Sequence, residues 1–430
     1  MGTLKRVSSF ENMSCIRNRI RFRTGFPVSI TVITLFLSVS PLVYGYDFKY
    51  PDSNGNEIFY SIQPDNNGQV TVTREDDPGL SVSSYSGTVI IPETVSYEGK
   101  KYTVTAIGEN AFSFNNHIKS IIIPKTVLNI GIPVAVDCDL LTVIEVAADN
   151  PVYSSAEGVL LDKSGTRFIC CPGGRSGSYR IPTTIKDIDN YAFLDCHLLT
   201  SIDMPDSLRS IGALAFSECA SLESIVIPEG AEYIGWYAFK DCPMLSTVQF
   251  NAKNCVNMGN HLATVFDADN AVSVINIGQE VKNIPDYAFY GCSSVQDIDI
   301  PDSVERIGVL SFSDCRSLEK ILLGSGLKTI SEKAFSGCSN IKKIQSGSSK
   351  LPELPGDAFP SLYASLYATD MAVSSIEDGS PWNRFNIVNT GRYSINMGSL
   401  VGIIVNVAAL IVYLVIARRI RNKNKRKASV

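Results

Sequence analysis

Residues 211–228 read Ile211-Gly212-Ala213-Leu214-Ala215-Phe216-Ser217-Glu218-Cys219-Ala220-Ser221-Leu222-Glu223-Ser224-Ile225-Val226-Ile227-Pro228. The same phrase returns as Ile307-Gly308, Phe312, Cys315, Leu318 and Ile321. With phenylalanine as the ruler, marks fall at Phe193, Phe216, Phe239, Phe266, Phe289, Phe312 and Phe335, in steps of 23 residues except for 27 between Phe239 and Phe266. A near-fixed period of this length specifies a stacked solenoid, in which each turn buries its apolar edge only against its neighbours. Such an array offers a long surface rather than a pocket, so binding is the function class it implies first.

The phase within a turn follows from strand geometry. Isoleucines nine and eleven places after the phenylalanine (Ile225 and Ile227, Ile298 and Ile300) point inward, and the residue between them points outward. Proline at place twelve (Pro124, Pro205, Pro228, Pro301) has no N–H to donate and ends the strand. Glycine after isoleucine (Gly212, Gly235, Gly308) is expected to turn a corner with positive φ. The A-F-x-x-C stretch is too short for a stable helix. The predicted fold class is therefore a β-rich solenoid of about 23-residue turns, with two short strands per turn and an irregular third side.

The ends carry topology. A basic leader (Lys5, Arg6, Arg17, Arg19, Arg21, Arg23) precedes the apolar run from Pro27 to Gly45, which is the layout of a secretory signal cut after Gly45. Ser399 to Ala417 carries no charge and is followed at once by Arg418 and Arg419. That length spans a hydrocarbon core, and the basic flank marks the cytoplasmic side. The predicted organisation is a signal with its leader over 1–45 and a β-rich cap over 46–103. The solenoid follows over 104–345 with a hairpin insertion at 148–180, then a degenerate last turn with a closing cap over 346–396. A transmembrane helix over 397–417 and a basic cytoplasmic tail over 418–430 complete it. The span also carries Gly398, Gly402 and Asn406 at spacings of four, a stripe suited to weak self-association. The chain's net charge of -5 hides a partition: between the two basic ends, 25 basic residues face 42 acidic ones, a net of about -17. A body this acidic repels phosphate backbones, which sets nucleic acid aside.

The joined phrases L-x-x-I-x-I-P and I-G-x-x-A-F-x-x-C, as in Leu199, Ile202, Met204-Pro205 and Val295, Ile298, Ile300-Pro301, resemble the BspA-like, treponema-type leucine-rich repeats of surface proteins. The likeness runs from about Ser86 to Val388, and the Asn150-Pro151 stretch and the closing Pro381-Trp382 segment also look like features of that family. The resemblance implies a leucine-rich-repeat fold and a cell-surface or secreted adhesin that binds host or neighbouring-cell proteins or glycans. It brings no catalytic residues with it.

Eleven cysteines in an exported chain invite a disulfide framework. Seven of them (Cys138, Cys196, Cys219, Cys242, Cys292, Cys315, Cys338) share one repeat position, which reads as an interior row of small apolar side chains with no disulfide expected. Cys170, Cys171 and Cys255 lie off that row. His117 and His197 sit at variable corners and His261 in the irregular turn, so each is expected to be solvated. No metal-ligand spacing or nucleophile motif occurs, and neither a metal, a cofactor nor a catalytic residue is predicted.

The expected ligand-binding residues are those eight and ten places after the phenylalanine, on the exposed face of the stacked strands: Ser201, Asp203, Ser224, Val226, Thr247, Gln249, Asn276, Asp297, Asp299, Lys320 and Leu322. Two readings compete. A β-solenoid enzyme acting on polysaccharide would use acids on the strand faces. However, Asp203 lies four turns from Asp299, ~19 Å at one strand spacing per turn, too far to share chemistry. A non-binding surface spacer would show the same ordinary outward residues.

Overall fold

The computed structural model describes residues 45–64, 67–74, 85–260, 262–266, 271–361 and 363–391. The predicted signal, the transmembrane span with Gly398, Gly402 and Asn406, the basic tail and His261 lie outside the described residues. Among the described residues no helix is long and apolar enough to cross a membrane. The chain packs as two compact units, one holding residues up to 223 together with 235–244, the other 224–234 together with 245 onward.

The first unit opens with an aromatic-rich sheet. Strands Phe48–Pro51, Glu57–Ile62 and Gln69–Thr73 run antiparallel. Lys100–Ile107 joins the last of these in parallel, and Thr94–Tyr97 closes the edge. Phe48 stacks on Tyr97 with centroids 4.4 Å apart. The far end of Lys100–Ile107 pairs in parallel with Asn129–Ile130, so this sheet runs on into the repeating array. Asp52 ties it to the first repeat strand, accepting the backbone N–H of Ile90 at 2.8 Å.

Each following turn has three sides. Long strands stack in parallel: Gly87–Ile90, Ile118–Ile123 and Val143–Val146, then Gly177–Arg180 with Leu199–Asp203. Two-residue strands such as Asp187–Ile188 and Ser210–Ile211 form a second parallel ladder. The third side is the A-F-x-x-C stretch, and it is not helical. There Leu214, Phe216 and Glu218 donate backbone N–H groups to the carbonyls of Trp236, Ala238 and Lys240 at 2.8–3.1 Å. This outward donation requires left-handed backbone at Leu214 (φ 55°) and Glu218 (φ 62°). That conformation costs roughly 1–2 kcal/mol per non-glycine residue, offset by the inter-turn hydrogen bonds it allows.

The glycine after isoleucine has a different task from the one its sequence position suggests. Gly212, Gly235 and Gly308 do not have positive φ. A Cβ on Gly212 would lie 2.4 Å from the backbone nitrogen of Asn190, and one on Gly235 2.4 Å from that of Ala213. Close approach of the preceding turn, not chain reversal, excludes every larger residue.

The insertion is a three-stranded antiparallel meander, Tyr153–Ala156, Val159–Asp162 and Arg167–Cys170. Asp162 fixes its second turn by accepting the N–H groups of Thr166 and Arg167 at 2.8 and 2.7 Å. The last strand then takes a place in the array itself: Arg167–Cys170 pairs in parallel with Asp187–Ile188, and Phe168 stacks on Phe193 at 4.5 Å.

The second unit repeats the scheme. Ser224–Ile227, Thr247–Phe250 and Val274–Ile277 form one parallel sheet. Asp297–Asp299, Lys320–Leu323, Lys343–Ser346, Ser365–Ala368 and Asn386–Asn389 form another. Trp382 closes the end, donating its indole N–H to the carbonyl of Pro352 at 2.9 Å and packing on Phe359 and Phe385.

Two interior rows hold the turns together. Rings stack from Phe193 to Phe216 to Phe239 at 4.8 and 5.2 Å in the first unit, and from Phe289 to Phe312 to Phe335 at 5.4 and 5.3 Å in the second. Beside them run the cysteines. All ten described cysteines are buried thiols. Cys219 and Cys242 donate to the carbonyls of Phe193 and Phe216, and Cys315 and Cys338 to those of Phe289 and Phe312.

Candidate binding face

The long strands alternate as their sequence dictates. Ile225 and Ile227 are buried, as are Ile298 and Ile300, while the residues between them emerge. In the first unit Asp203 is exposed and Ser201 half-buried; the Asp203 carboxylate pairs with Arg180 at 2.8 Å.

In the second unit two rows cross the first sheet in register, Ser224–Thr247–Val274 and Val226–Gln249–Asn276. Ser224, Val226, Val274 and Asn276 are exposed, with Thr247 and Gln249 half-buried. No member of either row is charged. The valines stand 47% and 45% exposed at positions 226 and 274, although an apolar side chain gains nothing from water there. Val274 belongs to this face although the phase count above left it out. It lies eight places after Phe266, the same offset as Ser224 from Phe216.

The second sheet of this unit is charged. Asp297, Lys320 and Lys343 share a row, and Asp299, Leu322 and Gln345 share the next. Asp297, Asp299 and Lys320 are exposed. Partial shielding from water by the flanking strands lifts the Asp299 carboxyl above its usual range although the residue as a whole is exposed, against the opposing pull of Lys320. Leu322 departs from the expectation of exposure. It is only 7% exposed, the burial an apolar side chain favours when longer neighbours flank it. Lys343 covers the ring of Tyr367 at 4.5 Å from its centroid.

A different chemistry occupies the edge beside the cysteines. Asp137, Asp195, Glu218 and Asp241 each precede a row cysteine with left-handed backbone. Burial, only partly opposed by His197, pushes the Asp195 carboxyl to about 6. Burial followed by the charges of Asp195 and Asp241 pushes Glu218 to about 6. His197 is not solvated as its corner position suggested. It is half-buried, with Nδ1 3.5 Å from the Asp195 carboxylate and Nε2 3.8 Å from that of Asp139. Asp139, Asp195 and His197 are close enough to share a cation. The two imidazole nitrogens, however, face different carboxylates, which suits a polar bridge between two turns better than a convergent ligand set. His117 is exposed.

The repeat itself is diagnostic. The model of the BspA type leucine rich repeat region matches in six copies, over residues 93–153, 175–263 and 262–379. The chain belongs to this BspA-type family. Among solved structures, this BspA-type chain is similar to a leucine-rich repeat protein from Eubacterium ventriosum ATCC 27560, at 19% identity over 69% of this chain and 95% of that one, with a TM-score of 0.46. It is similar to the pneumococcal vaccine antigen PcpA at 15% identity over 80% and 98%, TM-score 0.39. It is similar also to the T. pallidum Leucine Rich Repeat protein at 22% identity over 61% and 87%, TM-score 0.26. None of the curated proteins matches the chain.

Proposed function

We propose that this BspA-type chain is a cell-surface binding protein whose strand face recognises a protein or glycan on a host or neighbouring cell. The observation that carries this reading is the uncharged, partly apolar strip of Ser224, Val226, Thr247, Gln249, Val274 and Asn276 on a chain whose body is strongly acidic. Interface centres are depleted of charge relative to the rest of a protein surface, and exposed valines flanked by amides and hydroxyls fit that pattern. The apolar, basic-flanked segment at 397–417 and the signal at 1–45 support display on the outer side of a membrane, with a short tail inside.

Probing the exported portion, Tyr46 to Asn396, on arrays of matrix proteins and glycans tests this. Saturable binding is the expected result. An array with no binding favours a spacer, and turnover of a polysaccharide favours an enzyme.

A further inference from the structure

The thiol row changes character where the insertion enters it. In regular turns a cysteine sulfur donates to the carbonyl of the phenylalanine 26 residues earlier, at 3.2 Å for Cys219 and 3.1 Å for Cys242. Twenty-six residues before Cys196 stands Cys170, not a phenylalanine. The Cys196 sulfur reaches the carbonyls of Cys171 and Pro172 at only 3.9 and 4.0 Å. Both sulfurs close on one oxygen, for the Pro172 carbonyl lies 3.8 Å from the Cys171 sulfur and 4.0 Å from that of Cys196. Both residues are buried, at 0% and 3% exposure. Two thiols thus face each other with weak competing acceptors. Cys315 and Cys338, by contrast, each hold a phenylalanine carbonyl, at 3.4 and 3.0 Å.

The Cys171 backbone is already held by the turn that carries Cys196. The Cys171 N–H donates to Ala192 at 2.7 Å, and the Phe168 and Phe193 rings stack one turn apart.

We propose that Cys171 and Cys196 are a latent disulfide that staples the insertion to the turn following it. The oxidant is a small or protein disulfide of the glutathione or dithiol-oxidase class. The thiolate of one cysteine attacks that disulfide and expels one thiol. The second cysteine, as thiolate, then attacks the mixed disulfide and expels the other. The chain loses two protons and two electrons, and one external disulfide becomes two thiols. Contact with Cys171 and burial hold the Cys196 thiol well above its ordinary value in the closed fold. The exchange therefore runs before the insertion closes or while it is open.

The test equilibrates the full chain with glutathione disulfide or with dithiothreitol, alkylates it in denaturant, and maps its peptides. The expected result is one linked pair, Cys171 to Cys196, in the oxidised sample only, with Cys219, Cys242, Cys315 and Cys338 alkylated in both. Cys170→Ala keeps the link, whereas Cys171→Ala and Cys196→Ala remove it. Protease cleavage in the 163–166 turn slows several-fold on oxidation. Full alkylation of Cys171 and Cys196 after oxidation of the parent chain overturns the proposal, as does a link that survives Cys171→Ala.

Discussion

The thiol of Cys338 donates to the carbonyl of Phe312, 26 residues earlier and one turn away, at 3.0 Å. The same carbonyl accepts the N–H of Cys315 at 3.3 Å, so one oxygen is shared between its own turn and the next. The row position therefore uses a small side chain that is apolar enough to bury and still donates a hydrogen bond. Cys338→Ala should cost about 1–2 kcal/mol, from a lost hydrogen bond and a small void. Urea unfolding of the 46–396 portion measures it, and an unchanged midpoint would reduce the row to mere filling.

Phe239 lies at 0% exposure and stacks on Phe216 at 5.2 Å. Its replacement by alanine should cost about 3–5 kcal/mol and raise amide exchange in the turn holding Phe216. An indifferent thermal midpoint would mean that the ring row is not the core.

Gly212→Ala puts a methyl 2.4 Å from the Asn190 nitrogen. Backbone cannot rotate away as a side chain can, so a loss of roughly 1–3 kcal/mol is expected. Gly165, which has positive φ and no neighbour nearer than 3.9 Å, gives a control in which only backbone strain acts. Amide exchange separates the two: only Gly212→Ala should loosen the turn containing Asn190.

Acidity acts on the edge beside the cysteines. Asp195 and Glu218 rise to about 6 in the folded chain, from 3.8 and 4.5 in free side chains. Between about pH 4 and 6 the folded state therefore binds more protons than the unfolded chain, and these two groups make stability fall as pH rises. Their destabilisation is complete above about 6 and relieved below about 4. Relative to the parent, Asp195→Asn and Glu218→Gln should be stabilising at pH 8 and close to neutral at pH 4. Urea midpoints that shift equally at both pH values would contradict this.

Much of this was legible because a 23-residue period and a two-residue strand alternation leave little freedom. Phe216, Cys219 and Ile225 each have one place to go in every turn. What escaped the sequence depends on contacts between turns. Gly212 reads from the sequence as a corner, and only the position of Asn190 shows that close approach is its task. Left-handed backbone at Leu214 and Glu218 leaves no compositional mark, since neither residue type favours it. Phe168 was hidden because the insertion breaks the spacing that identifies its neighbours, and the His197 site because Asp139 reaches it only through stacking of the turns. On the candidate face, the offset from phenylalanine located the exposed Ser224, Val226 and Asn276 but could not tell that Leu322 is buried.

The central claim is that the uncharged strip of the strand face binds the ligand, and a charge-insertion variant tests it most directly. Ser224→Arg with Thr247→Arg places two cations side by side in one row without touching the buried alternation. With binding measured on the matrix-protein or glycan array spot that the parent 46–396 portion recognises, the double variant should keep its circular dichroism spectrum and lose at least about tenfold in affinity, or ~1.4 kcal/mol. Undiminished binding by the folded double variant would contradict the claim and move the site off these strands.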